Sequence, residues 1–272
     1  MIMQLQKGDL LNKMIKEIKK VYKIVNDIEL ILKVYVPKDW RWEDRRPAIV
    51  FFFGGGWENG TIDHFKTQSQ YLAARGMVGI TPDYRVGSRH GVTPFECVKD
   101  GKAALEWVKE NAGELGIDAG KIVVGGGSAG GHIAACMAVL KNSEFDDRQI
   151  YKIPKAMILF NPVVDTSEKG YGYKKIGACY REISPLYNVS EGLPPTIIFH
   201  GTHDKVVLFD NARAFQEAMQ NAGNSCTLIP YEGKGHGFFN EHNDQWSYID
   251  TLRRTDMFLR QLGYISGEPQ LV

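Results

Sequence analysis

The stretch "VVGGGSAGGH", Val123 to His132, packs five glycines around one serine. Two chemistries use nearly this string. As Gly125-x-Gly127-x-x-Gly130 it matches a phosphate-cradling turn of a dinucleotide site. As Gly126-x-Ser128-x-Gly130 it matches a sharp turn that presents a nucleophilic serine.

The two readings make different demands on the rest of the chain. A dinucleotide fold needs its glycine turn after the first strand of a βαβ unit, with an acid at the end of the next strand. Here several strand-like runs precede the turn. The acids in range, Glu144, Asp146 and Asp147, sit in "NSEFDDRQ", before the next strand rather than after it. The serine turn needs a strand before, a helix after and small neighbours, and "KIVVG" and "AGGHIAACMAVL" supply them. It also needs an acid and a histidine in later post-strand loops, in the order Ser, Asp, His. "PTIIFHG" is followed by Asp204, and "CTLIPY" by His236 between glycines. Ser128, Asp204 and His236 are therefore the expected catalytic residues. Asp165 also follows a strand, and order alone does not separate it from Asp204.

Outward from the turn, apolar strands alternate with helices. "AIVFFF", "MVGITPDY", "KIVVG", "KAMILFN", "PTIIFHG" and "CTLIPY" read as strands. Helices are expected over 62–74, from Pro94 through "FECVKDGKAALEWVKENA", after Ser128, and around 210–222 and 248–262. Ahead of them, "YKIVNDIELILKVYVP" reads as a hairpin turning at Asn26-Asp27. Leu10, Leu11, Met14, Ile15 and Ile18 mark a basic amphipathic helix over 8–20 that docks on the body. The whole is an α/β chain with a doubly wound, mostly parallel sheet, in one domain over 1–272. Residues 165–193 break the rhythm. They are long, rich in Gly and Tyr and without strand pattern, as a small lid over the site would be. Trp57 and Tyr187, with Tyr171 and Tyr173, are candidates to bind substrate. Asp83 and Arg85 in "DYR" are expected to pair with each other.

Bulk properties exclude several classes. The 272 residues are 43% hydrophobic and 24% charged with a net charge of +1, giving no pull toward nucleic acid or an anionic membrane. No apolar run reaches a membrane span, and the charged N-terminus lacks a leader's apolar stretch. That points to the cytoplasm, or to a secreted form shown without its leader. Cys97, Cys136, Cys179 and Cys226 are scattered, so neither a metal nor a redox site is expected.

"FGGGW", "DYR", "GGSAGG", "HGTHD" and "GHGF" together resemble the α/β-hydrolase superfamily. The resemblance is strongest to its esterase/lipase branch with an H-G-G-G oxyanion motif, which holds hormone-sensitive-lipase-like enzymes, acetyl- and feruloyl-esterases and kynurenine formamidase relatives. It spans roughly Ala48 to Leu262. It implies the α/β-hydrolase fold and places oxyanion donors at the backbone N–H groups of Gly55, Gly56 and Ala129. It implies no cofactor. The motif's leading histidine is Phe53 here, which cannot anchor the loop by a hydrogen bond. The implied activity is a serine carboxylesterase for short acyl esters, including acetyl or feruloyl esters of carbohydrates. An amidase or peptidase on the same residues, and a ligand-binding protein on an inactive scaffold, remain alternatives. Oligomeric state is open, a homodimer included.

Overall fold

The computed structural model describes residues 14–141 and 152–269. Among them, eight strands form one sheet in the order β1-β2-β4-β3-β5-β6-β7-β8. The strands are β1 (Ile15–Val25), β2 (Ile28–Pro37), β3 (Arg46–Phe52), β4 (Val78–Pro82), β5 (Ile117–Gly127), β6 (Pro154–Phe160), β7 (Thr196–Gly201) and β8 (Cys226–Tyr231). β1 and β2 pair antiparallel, as do β2 and β4, and every pairing from β4 through β8 is parallel.

The parallel strands are apolar on both faces because helices cover both. Along β3, Ala48, Val50 and Phe52 join one buried cluster, while Ile49 and Phe51 join another on the opposite face. The long helices are α1 (Lys66–Ala74), α2 (Pro94–Glu110), α3 (Ala129–Val139), α4 (Phe209–Asn221) and α5 (Gln245–Gln261). Pro94 opens α2 behind a Thr93–Glu96 capping box. α3 is buried along its whole length, which its run of small residues allows. Among the described residues no helix is long and apolar enough to cross a membrane.

Three expectations change. The hairpin turns at Asn26-Asp27, both at positive φ (48° and 61°), as a two-residue turn requires. Its first strand, however, begins at Ile15, so residues 15–20 are strand rather than the tail of a helix over 8–20. Residues 8–13 of that expected helix lie outside the described residues. The apolar β2 supplies a ladder from Ile15↔Pro37 to Val25↔Ile28, and pairing outweighs local helical pattern. Lysines along β1 suit its place at the sheet edge. α1 starts at Lys66 rather than near 62, because i→i+3 turns at Thr61–His64 and Asp63–Lys66 precede it. Asp83 and Arg85 do not pair. Two residues apart, they find separate partners: Asp83 takes Arg89 (2.8 Å), and Arg85 takes the buried Asp100 through two nitrogens (2.8 and 3.0 Å). Lys23 of β1 also reaches Asp100 (2.6 Å), tying the hairpin to α2.

One of the tightest backbone contacts in the fold lies beside Ser128. A Cβ on Gly130 would run into the carbonyl oxygens of Phe52 and Phe53, and one on Gly126 would come within 2.6 Å of Phe52 O. These are backbone atoms and cannot rotate away. Gly130→Ala is expected to lower stability by about 1–3 kcal/mol, the usual range for overpacking. A urea titration against the unchanged protein checks this, and an unaltered midpoint would show that a methyl group fits at the contact.

Candidate active site

Ser128 sits between β5 and α3 with φ 54° and ψ −120°, a conformation that L side chains rarely adopt. Three backbone bonds hold it there. Its N–H donates to Phe160 O (2.9 Å), and its carbonyl accepts from His132 N (3.0 Å) and Val163 N (3.2 Å). The strain turns the hydroxyl out of the sheet edge toward the loop after β8. There Ser128 Oγ lies 2.9 Å from His236 Nε2, and His236 Nδ1 lies 2.7 Å from Asp204 Oδ2.

Asp204 is fixed from several sides. Its Oδ1 accepts from Val206 N (2.9 Å) and Val207 N (3.0 Å). Its Oδ2 faces both His236 and, at 3.3 Å, the Nε2 of the buried His200. Burial pushes the carboxyl pKa up, but hydrogen bonds from His200 and His236 outweigh it and hold it well below the usual range. An ionised Asp204 requires the proton of His236 on Nδ1. Nε2 is then bare and can accept from the Ser128 hydroxyl. Asp165, the alternative acid, accepts instead from Ser167 N (2.8 Å).

The third part of the site is the loop after β3. Gly55 (φ 135°) and Gly56 (φ 62°) turn it beside Ser128, and a Cβ on Gly54 would come within 3.4 Å of Ser128 Cβ. Ala129 begins α3 directly after the serine. A cavity of about 250 Å³ lies between these parts. Gly54, Gly55, Gly56, Ser128 and His236 line it, together with His64, Asn161, Tyr171, Val206, Phe239 and Asn240. A larger groove of about 450 Å³ lies elsewhere, between β8 and α5, but carries no nucleophile or imidazole; its Arg253 and Arg254 are both paired with Asp250. We take the smaller cavity as the site because the reactive groups converge there.

Trp57 and Tyr187 are not in the cavity wall. The Trp57 indole is fully buried and donates to His132 Nδ1 (3.3 Å). Trp57 is itself at positive φ (60°), and its ring packs edge-on against His132 (centroids 5.0 Å apart). Tyr187 is exposed, with the Arg181 guanidinium 4.6 Å from its ring centroid. Of the tyrosines in 165–193, Tyr171 is the one that reaches the cavity. That segment forms short helical turns, at Tyr173–Ile176 and Tyr180–Ile183, packed on the site. Lys175 reaches from it to Gly56 O (3.1 Å) and Glu58 (2.8 Å). Sequence reasoning missed His64, Asn161 and Asn240, which have no motif and come from three separate loops.

The chain is similar to known esterases. A family model described as BD-FAE matches residues 32–169, and one described as alpha/beta hydrolase fold matches residues 174–240. Esterase 2 of Thermogutta terrifontis, phosphoramylated by tabun, is 47% identical with a TM-score of 0.87, over 93% of this chain and 97% of that one. The same esterase has been solved with propionate bound, at 46% identity and a TM-score of 0.86, over 93% and 96% of the two chains. Carboxylesterase NlhH of Mycobacterium tuberculosis is 29% identical over 78% of this chain and 72% of its own length. Esterase LipC of Mycobacterium tuberculosis is 28% identical over 73% of this chain, which spans just 56% of LipC.

Under the site, His132 is buried and lowered in pKa to about 4 by desolvation, opposed by its bond to Ile183 O. The unfolded chain, at about 6.5, takes the proton first as pH falls. The contribution of His132 is thus complete above about 6.5 and is lost toward 4, in total about 3 kcal/mol. His132→Phe is expected to flatten the fall in unfolding free energy over that pH window by this order. Denaturant titrations at pH 7, 5.5 and 4 check it, the slope with pH rather than the absolute stability being decisive.

Proposed function

The chain belongs to the BD-FAE family of the α/β-hydrolase superfamily, and we propose that it is a serine carboxylesterase acting on short-chain acyl esters. The observation that carries this reading is the continuous relay Ser128 Oγ–His236–Asp204 opening onto a 250 Å³ cavity. His236 takes the Ser128 proton as the oxygen attacks the ester carbonyl. Asp204 holds the imidazole in the Nδ1–H tautomer and stabilises its charge. The N–H groups of Gly55, Gly56 and Ala129 receive the oxyanion, an electrostatic contribution of about 3–4 kcal/mol for each donor. His236 then protonates the departing alcohol. Water repeats the sequence on the acyl-serine and releases the acid.

The volume supports small acyl groups. About 250 Å³ is below the usual range for drug-sized ligand sites, roughly 300–1,000 Å³. Glycines form one wall and Phe239 and Val206 part of the rest, so an acetyl to butyryl chain finds little polar surface. Propionate in Thermogutta terrifontis esterase 2 is in keeping with that range. The His236 side chain is 23% exposed, so the alcohol side meets solvent and accommodates a bulky leaving group such as the sugar alcohol of an acetylated carbohydrate.

A chain-length series of nitrophenyl esters tests the reading. Turnover efficiency is expected to be highest from acetate to butyrate and lower by at least tenfold at decanoate. Ser128→Ala is expected to remove about 10⁴-fold or more of kcat, as loss of a nucleophile does. Paraoxon should add its phosphoryl mass to Ser128 in the unchanged protein and to nothing in Ser128→Ala. Faster cleavage of acyl anilides than of every ester would replace the esterase assignment with an amidase. Full activity in Ser128→Ala would remove the mechanism.

A further inference from the structure

Three consecutive glycines carry no side chain that could hold the loop after β3, so its anchorage must come from neighbours. Its root is secured at Phe53, whose ring stacks on Tyr84 (centroids 4.0 Å apart) and whose carbonyl accepts from Tyr84 OH (2.6 Å). Beyond that root, Gly54 N–H donates to His64 Nδ1 (3.0 Å). The other nitrogen, His64 Nε2, lies 2.7 Å from Asn240 Oδ1. Asn240 Nδ2 donates to Gly237 O (2.9 Å), and Gly237 follows His236.

We propose that His64 is a positioning residue, clamping the loop of the oxyanion donors to the loop of the catalytic base through Gly54–His64–Asn240–Gly237. The proposal rests on the esterase reading of Ser128.

Only one protonation state satisfies the chain of bonds. A backbone N–H can only donate, so Nδ1 must be bare and Nε2 must carry the proton. Asn240 then accepts through Oδ1, in agreement with Nδ2 facing the Gly237 carbonyl. Burial lowers the pKa of His64; the Asn240 bond opposes this and the nearby His242 adds to the lowering. The ring is held between Phe65 (4.8 Å) and Phe239 (5.8 Å). Both nitrogens are engaged, so His64 has none left to exchange a proton with substrate, although it lines the cavity. Its effect passes through the Gly54 peptide, which fixes where the next two N–H groups point. A displacement near 1 Å at such donors costs about 100-fold in rate.

Variants with one ring nitrogen imitated at a time separate clamping from packing. Asn in place of His64 puts its Oδ1 near Nδ1, whereas Gln puts its Nε2 near the imidazole Nε2. For nitrophenyl acetate, His64→Phe is expected to lower kcat about 10- to 100-fold with KM changed less than about threefold. His64→Asn should recover about tenfold of a full loss, and His64→Gln should recover little, since it cannot accept from Gly54. Asn240→Leu should lower kcat about 3- to 10-fold, and the double variant His64→Phe/Asn240→Leu should be no worse than His64→Phe alone. Unfolding midpoints identify any variant that fails to fold; Asn240→Leu and His64→Asn then decide. Wild-type kcat in folded His64→Phe, a change confined to KM, or equal rescue by Asn and Gln would overturn the clamp. If Ser128→Ala is inactive in the same series, the esterase reading stands even as the clamp falls. If Ser128→Ala keeps activity, the esterase reading itself fails.

Discussion

The backbone of α3 meets the end of β3 at Gly130, and no methyl group fits between them. This single contact sets the separation of the serine turn from the glycine loop. Ser128 and the glycine loop follow different strands, β5 and β3, which are neighbours in the sheet. Sheet pairing alone brings them to the same edge. Bringing backbone N–H groups within hydrogen-bond reach of an atom attached to Ser128 needs the closer approach that Gly126 and Gly130 allow. The positive φ of Ser128 follows from the same constraint, because the turn must reverse within one residue.

Asp204 and His236 are positioned differently, by side chains and loops at the ends of β7 and β8. Asp204 is an end point where four donors converge, two of them backbone N–H groups. That crowd keeps the carboxylate charged in a buried place, and the charge in turn fixes the tautomer of His236. His200, at the end of β7, is part of this arrangement although it never meets the cavity. Asn161 plays a comparable role on the other side, accepting the Gly237 N–H (2.9 Å).

The sheet and the relay were legible in the sequence because each left a local signature. Buried parallel strands are short apolar runs, and β7 (Thr196–Gly201), buried at every residue, lies within the run "PTIIFHG" that marks it. Ser128, Asp204 and His236 each follow such a run, so their loops converge once the strands are ordered. What was not legible depends on distant pairing. Ile15–Lys20 has a spacing that fits a helix as well as a strand, and only β2 decides between them. Arg85 looked like a partner for Asp83 because they are close in sequence, but Asp100 lies closer in space. Trp57 read as a wall of the cavity because it adjoins the glycines, yet its indole packs against and hydrogen-bonds the buried His132. His64 and Asn240 are 176 positions apart and share no motif, so nothing local joins them.

The Trp57–His132–Ile183 line has one more consequence. The indole on the glycine loop, the imidazole on α3 and the carbonyl on the 165–193 segment are joined through buried polar atoms. Swinging that segment away would strand them, at about 1–3 kcal/mol for each unsatisfied group. The cover of the site is therefore masonry, its buried polar bonds mortaring the glycine loop, α3 and the 165–193 segment to one another.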